Sequence, residues 1–179
     1  SPDRRKYTGV HFSPEVGIYN SSGLPDTKAL NLYSGLTVKP KEGDWGLIKQ
    51  HLLKVWCAGD RELYEGVVDL FALLLQRPGK PWGVVLIIMG EQGTGKSIII
   101  EMFRSMFGTS GKKASTMKSI AGQFNSILGG AVFLGLEEAV WGGDKTQVGT
   151  LKDMITAETL MIEEKFREPI EVPDCLHVI

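Results

Sequence analysis

Cysteine is scarce. Cys57 and Cys175 are the two in 179 residues and lie far apart. That excludes a disulfide framework and a zinc ribbon, and makes a reducing cytosol the default compartment. Histidine is also thin: His11, His51 and His177 are scattered, and His177, inside an apolar stretch, reads as a packing residue rather than a ligand. No apolar run approaches the length of a membrane span, and the opening "SPDRRKYTGVHF" is no signal peptide. No membrane partner is therefore expected, and the location expected is cytoplasmic. An excess of one charge is missing too. Lys and Arg total 20 against 21 Asp and Glu, a net charge of −1. No global field drives the chain onto nucleic acid, so any polyanion binding has to come from a local patch. Internal repeats, low-complexity tracts and the arginine-rich lid of small nucleotide kinases are absent as well.

What is present is ordinary for a globular protein: 42% apolar and 23% charged residues, long enough for one domain with a real core. Residues 1–43 read as an irregular lead-in, partly extended. Residues 44–78 read as a small helical N-terminal part. Asp44 is placed to cap one helix, with Leu47, Ile48, Leu52 and Val55 at helical spacing up to Gly59. Asp60 is placed to cap a second over 60–76, with Leu63, Val67, Leu70, Phe71, Leu74 and Leu75 as its buried stripe. "RPGKP" breaks it. From 79 to 179 strands and helices alternate. The pattern predicts a strand over 83–89, a helix from Lys96 to Phe107, a turn at "GTSGKK" and a short strand over 114–118. A helix over 119–130, a strand over 131–141, a loop at "GGDKTQVG", a helix over 150–157, a β-hairpin over 159–173 and a last core strand at "CLHVI" follow. Near-continuous apolar strands between helices indicate an α/β fold with a mostly parallel sheet.

The strand over 83–89 runs into "GEQGTGKS", a complete G-x-x-x-x-G-K-[ST] motif. Gly93 and Gly95 let backbone N–H groups turn inward around phosphate oxygens, where a side chain would intrude. The helix that follows aims its positive N-terminal end at the same anion. Lys96 can reach β- and γ-phosphates, and the Ser97 hydroxyl can ligate Mg²⁺. The expected nucleotide-binding residues are Gly90, Glu91, Gln92, Gly93, Thr94, Gly95, Lys96, Ser97 and Ile98, with ATP and Mg²⁺ as cofactors.

"VFLGLEE" places Glu137 and Glu138 at the end of another buried strand, 41 positions after Lys96 (137 − 96). Ligands of parallel sheets bind at the carboxyl ends of strands. Glu137 can hold Mg²⁺ there through water, together with Ser97, while Glu138 polarises the attacking water. Lys96, Glu137 and Glu138 are the catalytic candidates. Taken alone, two acids at a strand end read as a solvated pair; the spacing from Lys96, which leaves room for one strand–helix unit, favours a P-loop ATPase. In the hairpin, "EEKFRE" puts Lys165, Phe166 and Arg167 at a turn no core can cover. An exposed aromatic between two cations suits single-stranded DNA. Lys112, Lys113 and Lys118 form a modest basic patch whose default reading is a solvated face. Trp45, Trp56, Trp82 and Trp141 read as packing helices against the sheet, with a subunit interface the minor alternative for Trp141, and the chemistry of Asn125 assigns it no role.

"NLYSGLTVKP", "LLLQRPGKP", "LIIMGEQGTGKS", "GQFNSILGGAVFLGLEEA" and "LKDMITAETLMIEEKFREPIEVPDCLHVI" occur in this order. Together they resemble the helicase module of phage and plasmid primase–helicases, the D5-like group within superfamily 3 helicases. The resemblance covers roughly residues 28–179. It implies an AAA+-like P-loop NTPase fold with a β-hairpin insertion and assembly into a ring, usually a hexamer. It also implies ATP-driven translocation on single-stranded DNA, with a primase or polymerase domain in the same full-length chain. A phage origin, and hence the bacterial host cytoplasm, would be typical. The hairpin carrying Lys165 is the implied DNA contact. A polar sensor and an arginine finger would follow Ile179, so the core is expected to be truncated and a poor ATPase alone. The alternative is a P-loop protein of another class, a nucleotide-dependent switch or assembly protein with no DNA motor.

Overall fold

The computed structural model describes residues 7–15, 29–122, 124–137 and 145–179, without the side chains of 145–148. Its centre is a parallel sheet. β3 (Gly111–Ala114) pairs with β4 (Phe133–Leu136), which pairs with β7 (His177–Val178). Beyond β7 the chain at Val85 makes a parallel bridge to Val178, and the Leu86 N–H donates to Val178 O at 3.2 Å. The fold is thus mixed α/β, with a parallel sheet and helices.

β4 is apolar on both faces because both faces are covered. Val132 and Phe133 belong to a core shared with α2 (Arg61–Gln76) and α3 (Lys96–Phe107), through Phe71, Leu74, Ile99, Phe103 and Phe107. Phe71 stacks on Phe103 at a centroid distance of 4.3 Å. Leu134 turns to the other core. There it meets Met117, Ile120 of α4 (Lys118–Ala121), Leu151 of α5 (Lys145–Thr156) and Leu160 and Ile162 of β5 (Thr159–Ile162). β5 pairs antiparallel with β6 (Ile170–Pro173), so the hairpin stands where the sequence puts it, its Leu160 and Ile162 buried and Ile170 exposed. In the lead-in, β1 (Gly9–His11) and β2 (Ala29–Asn31) form a short parallel pair.

The helical N-terminal part is α1 (Gly46–His51), a π-helical turn over Leu52–Trp56, and α2. Asp60 caps α2 as expected, its carboxylate accepting the Leu63 N–H at 3.0 Å, and Val67, Phe71 and Leu74 form the buried stripe. Leu63, expected in that stripe, is exposed. Asp44 sits one residue further out than the cap position, which is Trp45, and accepts the Gly46 N–H at 2.8 Å. Leu47 is exposed rather than buried. The six-residue α1 fully buries none of its own residues; Ile48 packs partly against the core, and full burial begins at Leu52.

Several boundaries differ for physical reasons. The run 83–89 is no regular strand. Pairing is seen at Val85 and Leu86, and Val84, Ile87 and Met89 are exposed. The third strand is not 114–118 but 111–114, inside the stretch read as a turn. Gly111 is there for close approach: a Cβ on it would lie 2.2 Å from the Arg104 carbonyl oxygen of α3. The helix expected over 119–130 is α4 and a 3₁₀ turn over Ser126–Leu128, parted where Gly122 turns extended (ψ 175°). A Cβ on Gly122 would collide with the Lys118 carbonyl oxygen at 2.3 Å. α5 begins at Lys145, within the stretch read as a loop, and β4 takes Phe133–Leu136 of the stretch expected as a strand. Glu138 and Trp141 lie outside the described residues.

Candidate functional site

The glycine-rich loop opens directly into α3. Gly93 and Gly95 both take φ of +83°, a left-handed conformation that glycine adopts without strain. Gly95 is the residue before the helix, and no side chain caps α3. Its first N–H groups are therefore left to whatever the loop holds. The Lys96 ammonium folds back into the loop. It donates to Gly90 O at 2.8 Å and to Glu91 O, and lies 3.4 Å from Thr94 Oγ1, which itself donates to Glu91 O at 2.9 Å. A cleft of about 650 Å³ runs from this loop, past Ser97 and Ile100, to Leu136 and Glu137.

Glu137 follows β4 directly. Its N–H donates to Ala114 O at 3.0 Å and fixes it between neighbouring strands. Its carboxylate meets Lys113 Nζ at 2.9 Å, and Ser97 lines the same cleft. Lys113 first, and then Ser97, hold the carboxyl below the usual carboxylate range. Lys113 is shared: its ammonium also meets Glu101 at 2.9 Å, and Glu101 accepts from Arg104 Nε at 2.7 Å. Glu101 and Glu137 push the Lys113 ammonium's pKa up, and Glu101 is held low in return. An ion-pair chain thus runs from the outer face of α3 through β3 to the end of β4. Gly135 permits it, because a Cβ there would lie 2.3 Å from Ile100 Cγ2. The missing side chain lets α3 settle onto β4 and brings Ser97 to Glu137.

Lys113 is not the solvated cation its sequence suggests; reading 111–113 as a turn hid the strand that carries it to Glu137. His51 was also missed. Its Nε2 lies 3.0 Å from Gly95 O, a contact across 44 residues that no local spacing encodes. Glu91, Gln92, Thr94 and Ile98 are exposed, and Gln92 and Ile98 line the cleft.

Lys165, Phe166 and Arg167 form a second cluster, at the tip of the β5–β6 hairpin. Phe166 is fully exposed and takes φ of +63°. Lys165 Nζ lies 5.6 Å from the Phe124 ring centroid, and Arg167 pairs with Glu164 at 2.7 Å. Asn125 has a role its chemistry alone did not reveal. Its Nδ2 donates to Met161 O and its Oδ1 accepts the Glu163 N–H, both at 2.8 Å, so it pins the hairpin's first strand.

His177 is the packing residue expected. It is buried, with Nδ1 3.0 Å from Val132 O and Nε2 2.9 Å from Lys80 O, and burial pushes its pKa down. Cys175 is buried and its thiol is pushed up to about 11, which leaves no reactive thiolate there. Among the described residues no three His, Cys, Asp or Glu side chains gather to hold a metal. Ser97 and Glu137 would therefore suit an ion that brings most of its own oxygen ligands, as Mg²⁺ does with water and phosphate. Among the same residues no helix is long and apolar enough to cross a membrane.

Fold and site together define a mixed α/β protein in which a glycine-rich loop opens a helix beside the carboxylate end of a parallel strand. The chain belongs to a family of unknown function (DUF5906), whose model matches residues 88–179. It is 30% identical to the DNA primase-polymerase of Nitratiruptor phage NrS-1 over 97% of this chain and 24% of that protein. The chain thus spans about a quarter of that relative's length. Two apo structures of the NrS-1 C-terminal region superpose on 96% of the chain. One has a TM-score of 0.78 at 24% identity and covers 41% of that structure; the other has 0.75 at 25% and covers 42%.

Proposed function

We propose that this chain is the ATP-binding and ATP-hydrolysing module of a phage replication protein and drives movement on single-stranded DNA. The observation that carries the reading is the meeting of Lys96, Ser97 and Glu137 in one cleft, at the carboxyl end of a parallel strand. The loop and the uncapped start of α3 present N–H groups to β- and γ-phosphates. Lys96 exchanges the carbonyls of Gly90 and Glu91 for phosphate oxygens, trading partial negative charges for full ones. Ser97 and Glu137 would hold Mg²⁺, directly or through water, which would supply neutralising charge for phosphoryl transfer. Lys113 keeps Glu137 ionised, and so ready as a ligand. Glu138 is the proposed base that orients the attacking water.

The hairpin tip supports the DNA half of the reading. A fully exposed ring between two cations has nothing to pack against in this chain, whereas a base can stack on it while phosphates meet Lys165 and Arg167. Assembly as a ring, usually of six copies, would repeat that weak contact. The primase-polymerase relative supports a larger protein in which this module accompanies a primase or polymerase domain.

The test is calorimetric binding of Mg²⁺·ATP by this chain beside ATP turnover by the full-length protein with and without single-stranded DNA. Lys96→Ala is expected to weaken binding at least about tenfold, the scale of a lost charged hydrogen bond, with folding intact. Glu138→Gln is expected to bind normally and turn over slowly. Unchanged binding by Lys96→Ala overturns the nucleotide reading. Turnover indifferent to DNA would leave a nucleotide-dependent switch in its place.

A further inference from the structure

We infer that His51 is a positioning residue for the phosphate loop, which ties the N-terminal helical part to nucleotide binding. The inference rests on the nucleotide reading above. His51 is the last residue of α1, and the backbone changes to π-helical spacing at the next residue. Such an insertion rotates the side chains on either side of it and is frequent at functional sites. Here it joins an imidazole facing the loop to Leu52, which is buried in the core.

The contact itself is specific. A carbonyl oxygen only accepts, so the 3.0 Å approach of Nε2 to Gly95 O puts the proton on Nε2. The same carbonyl accepts the Ile98 N–H at 3.3 Å, which starts α3. The 95–96 peptide is planar and trans, so its N–H points opposite to its C=O. Fixing the Gly95 carbonyl from His51 therefore fixes the direction in which the Lys96 N–H is offered to an anion. The ring also abuts the loop. A Cβ on Gly95 would lie 2.8 Å from His51 Cε1, in addition to its strain at φ +83°. α1 has little other anchorage here: none of its residues is fully buried, and Ile48 is its one side chain packed against the core.

The test compares His51→Phe, which keeps a ring and loses the donor, with His51→Gln, whose amide can donate from a similar reach. His51→Met is a second donor-free variant, should the phenyl ring disturb folding. Mg²⁺·ATP affinity is expected to fall roughly three- to tenfold in the Phe and Met variants, the scale of one hydrogen bond, and to recover in Gln. The Lys96 amide resonance of the nucleotide-free protein is expected to shift in Phe and Met and to stay near its wild-type position in Gln. Wild-type affinity in Phe or Met, or equal losses in all three variants, overturns the inference. Failure of the wild-type chain to bind Mg²⁺·ATP would overturn the nucleotide reading instead, while the amide resonance still reports whether His51 orients the loop.

Discussion

Replacing Gly135 by alanine should wedge α3 away from β4. The new Cβ would lie 2.3 Å from Ile100 Cγ2, whereas ordinary contact begins at 3.4 Å. Cγ2 sits on the branch of a residue stiff at χ1, so rotation offers little relief. The helix itself has to withdraw by about 1 Å, in an interior packed as densely as a crystal. Overpacking of this kind costs about 1–3 kcal/mol. The stiffer unfolded chain returns about 0.4–1 kcal/mol, leaving a net loss of about 1–2 kcal/mol. The assay is urea unfolding of a double-mutant cycle with Ile100→Ala. That single change removes the clashing methyl and leaves a cavity, at about 2–5 kcal/mol. In its background Gly135→Ala should be neutral or stabilising, because the added methyl enters the space. The coupling should favour the double mutant by about 1–3 kcal/mol. Losses that add to within about 0.5 kcal/mol would refute the reasoning. Ser97 lies on the same helix, so the single variant should also bind Mg²⁺ with ATP less well, and the double variant should recover part of that binding.

Lys113→Met releases Glu101 and Glu137 toward their ordinary value of 4.5. A carboxylate with a lowered folded pKa contributes stability that is present above its unfolded value and lost as pH falls through the folded one. The variant should therefore lose up to about 1 kcal/mol near neutral pH, modest because each side chain is about a third exposed. Urea unfolding should show no difference once both acids are protonated, and a deficit persisting there would contradict the ion-pair account. Asn125→Ala strips two hydrogen bonds from the hairpin neck, at about 1–3 kcal/mol. Hydrogen exchange at the Glu163 amide should rise well before global unfolding, and unchanged protection would mean that the hairpin stands without it. Phe166→Gly replaces a residue strained at φ +63°, so thermal stability should be unchanged or raised. Single-strand DNA affinity by anisotropy should nevertheless fall by about 1–3 kcal/mol, the worth of one stacked base; equal affinity would remove Phe166 from the contact.

How much of this was legible in the sequence depended on the range of the signal. The helix expected from about Lys96 to Phe107 matches α3, because a glycine loop before it and Gly108 after it mark its ends locally. The hairpin was read from alternating β-formers around a charged turn, and Asp60 from its place before an apolar stripe. What could not be read were pairings between distant segments. The run 84–89 is the most apolar in the chain, and its partner, Val178, lies 93 residues from Val85 (178 − 85), a pairing its own composition does not encode. The neighbours of Lys113 come from residues 101 and 137, and that of His51 from residue 95. Neither leaves a trace in its own surroundings.

Glycine shows the same division within one residue type. Gly93 and Gly95 act through backbone conformation, which a sequence motif captures. Gly111 and Gly135 act through an absent side chain, and what they make room for is one helix: Arg104 O over the first, Ile100 over the second. Both therefore press α3 against β3 and β4. That helix carries Lys96 and Ser97 at its start and Glu101 a turn later, while the strands carry Lys113 and Glu137. The separation between α3 and the sheet consequently sets two contacts at once, Ser97 with Glu137 and Glu101 with Lys113. A displacement that weakens the first also loosens the cation that holds Glu137 ionised. The metal-binding half of the cleft and the ion-pair chain should thus rise and fall together, through the close approach that two glycines allow.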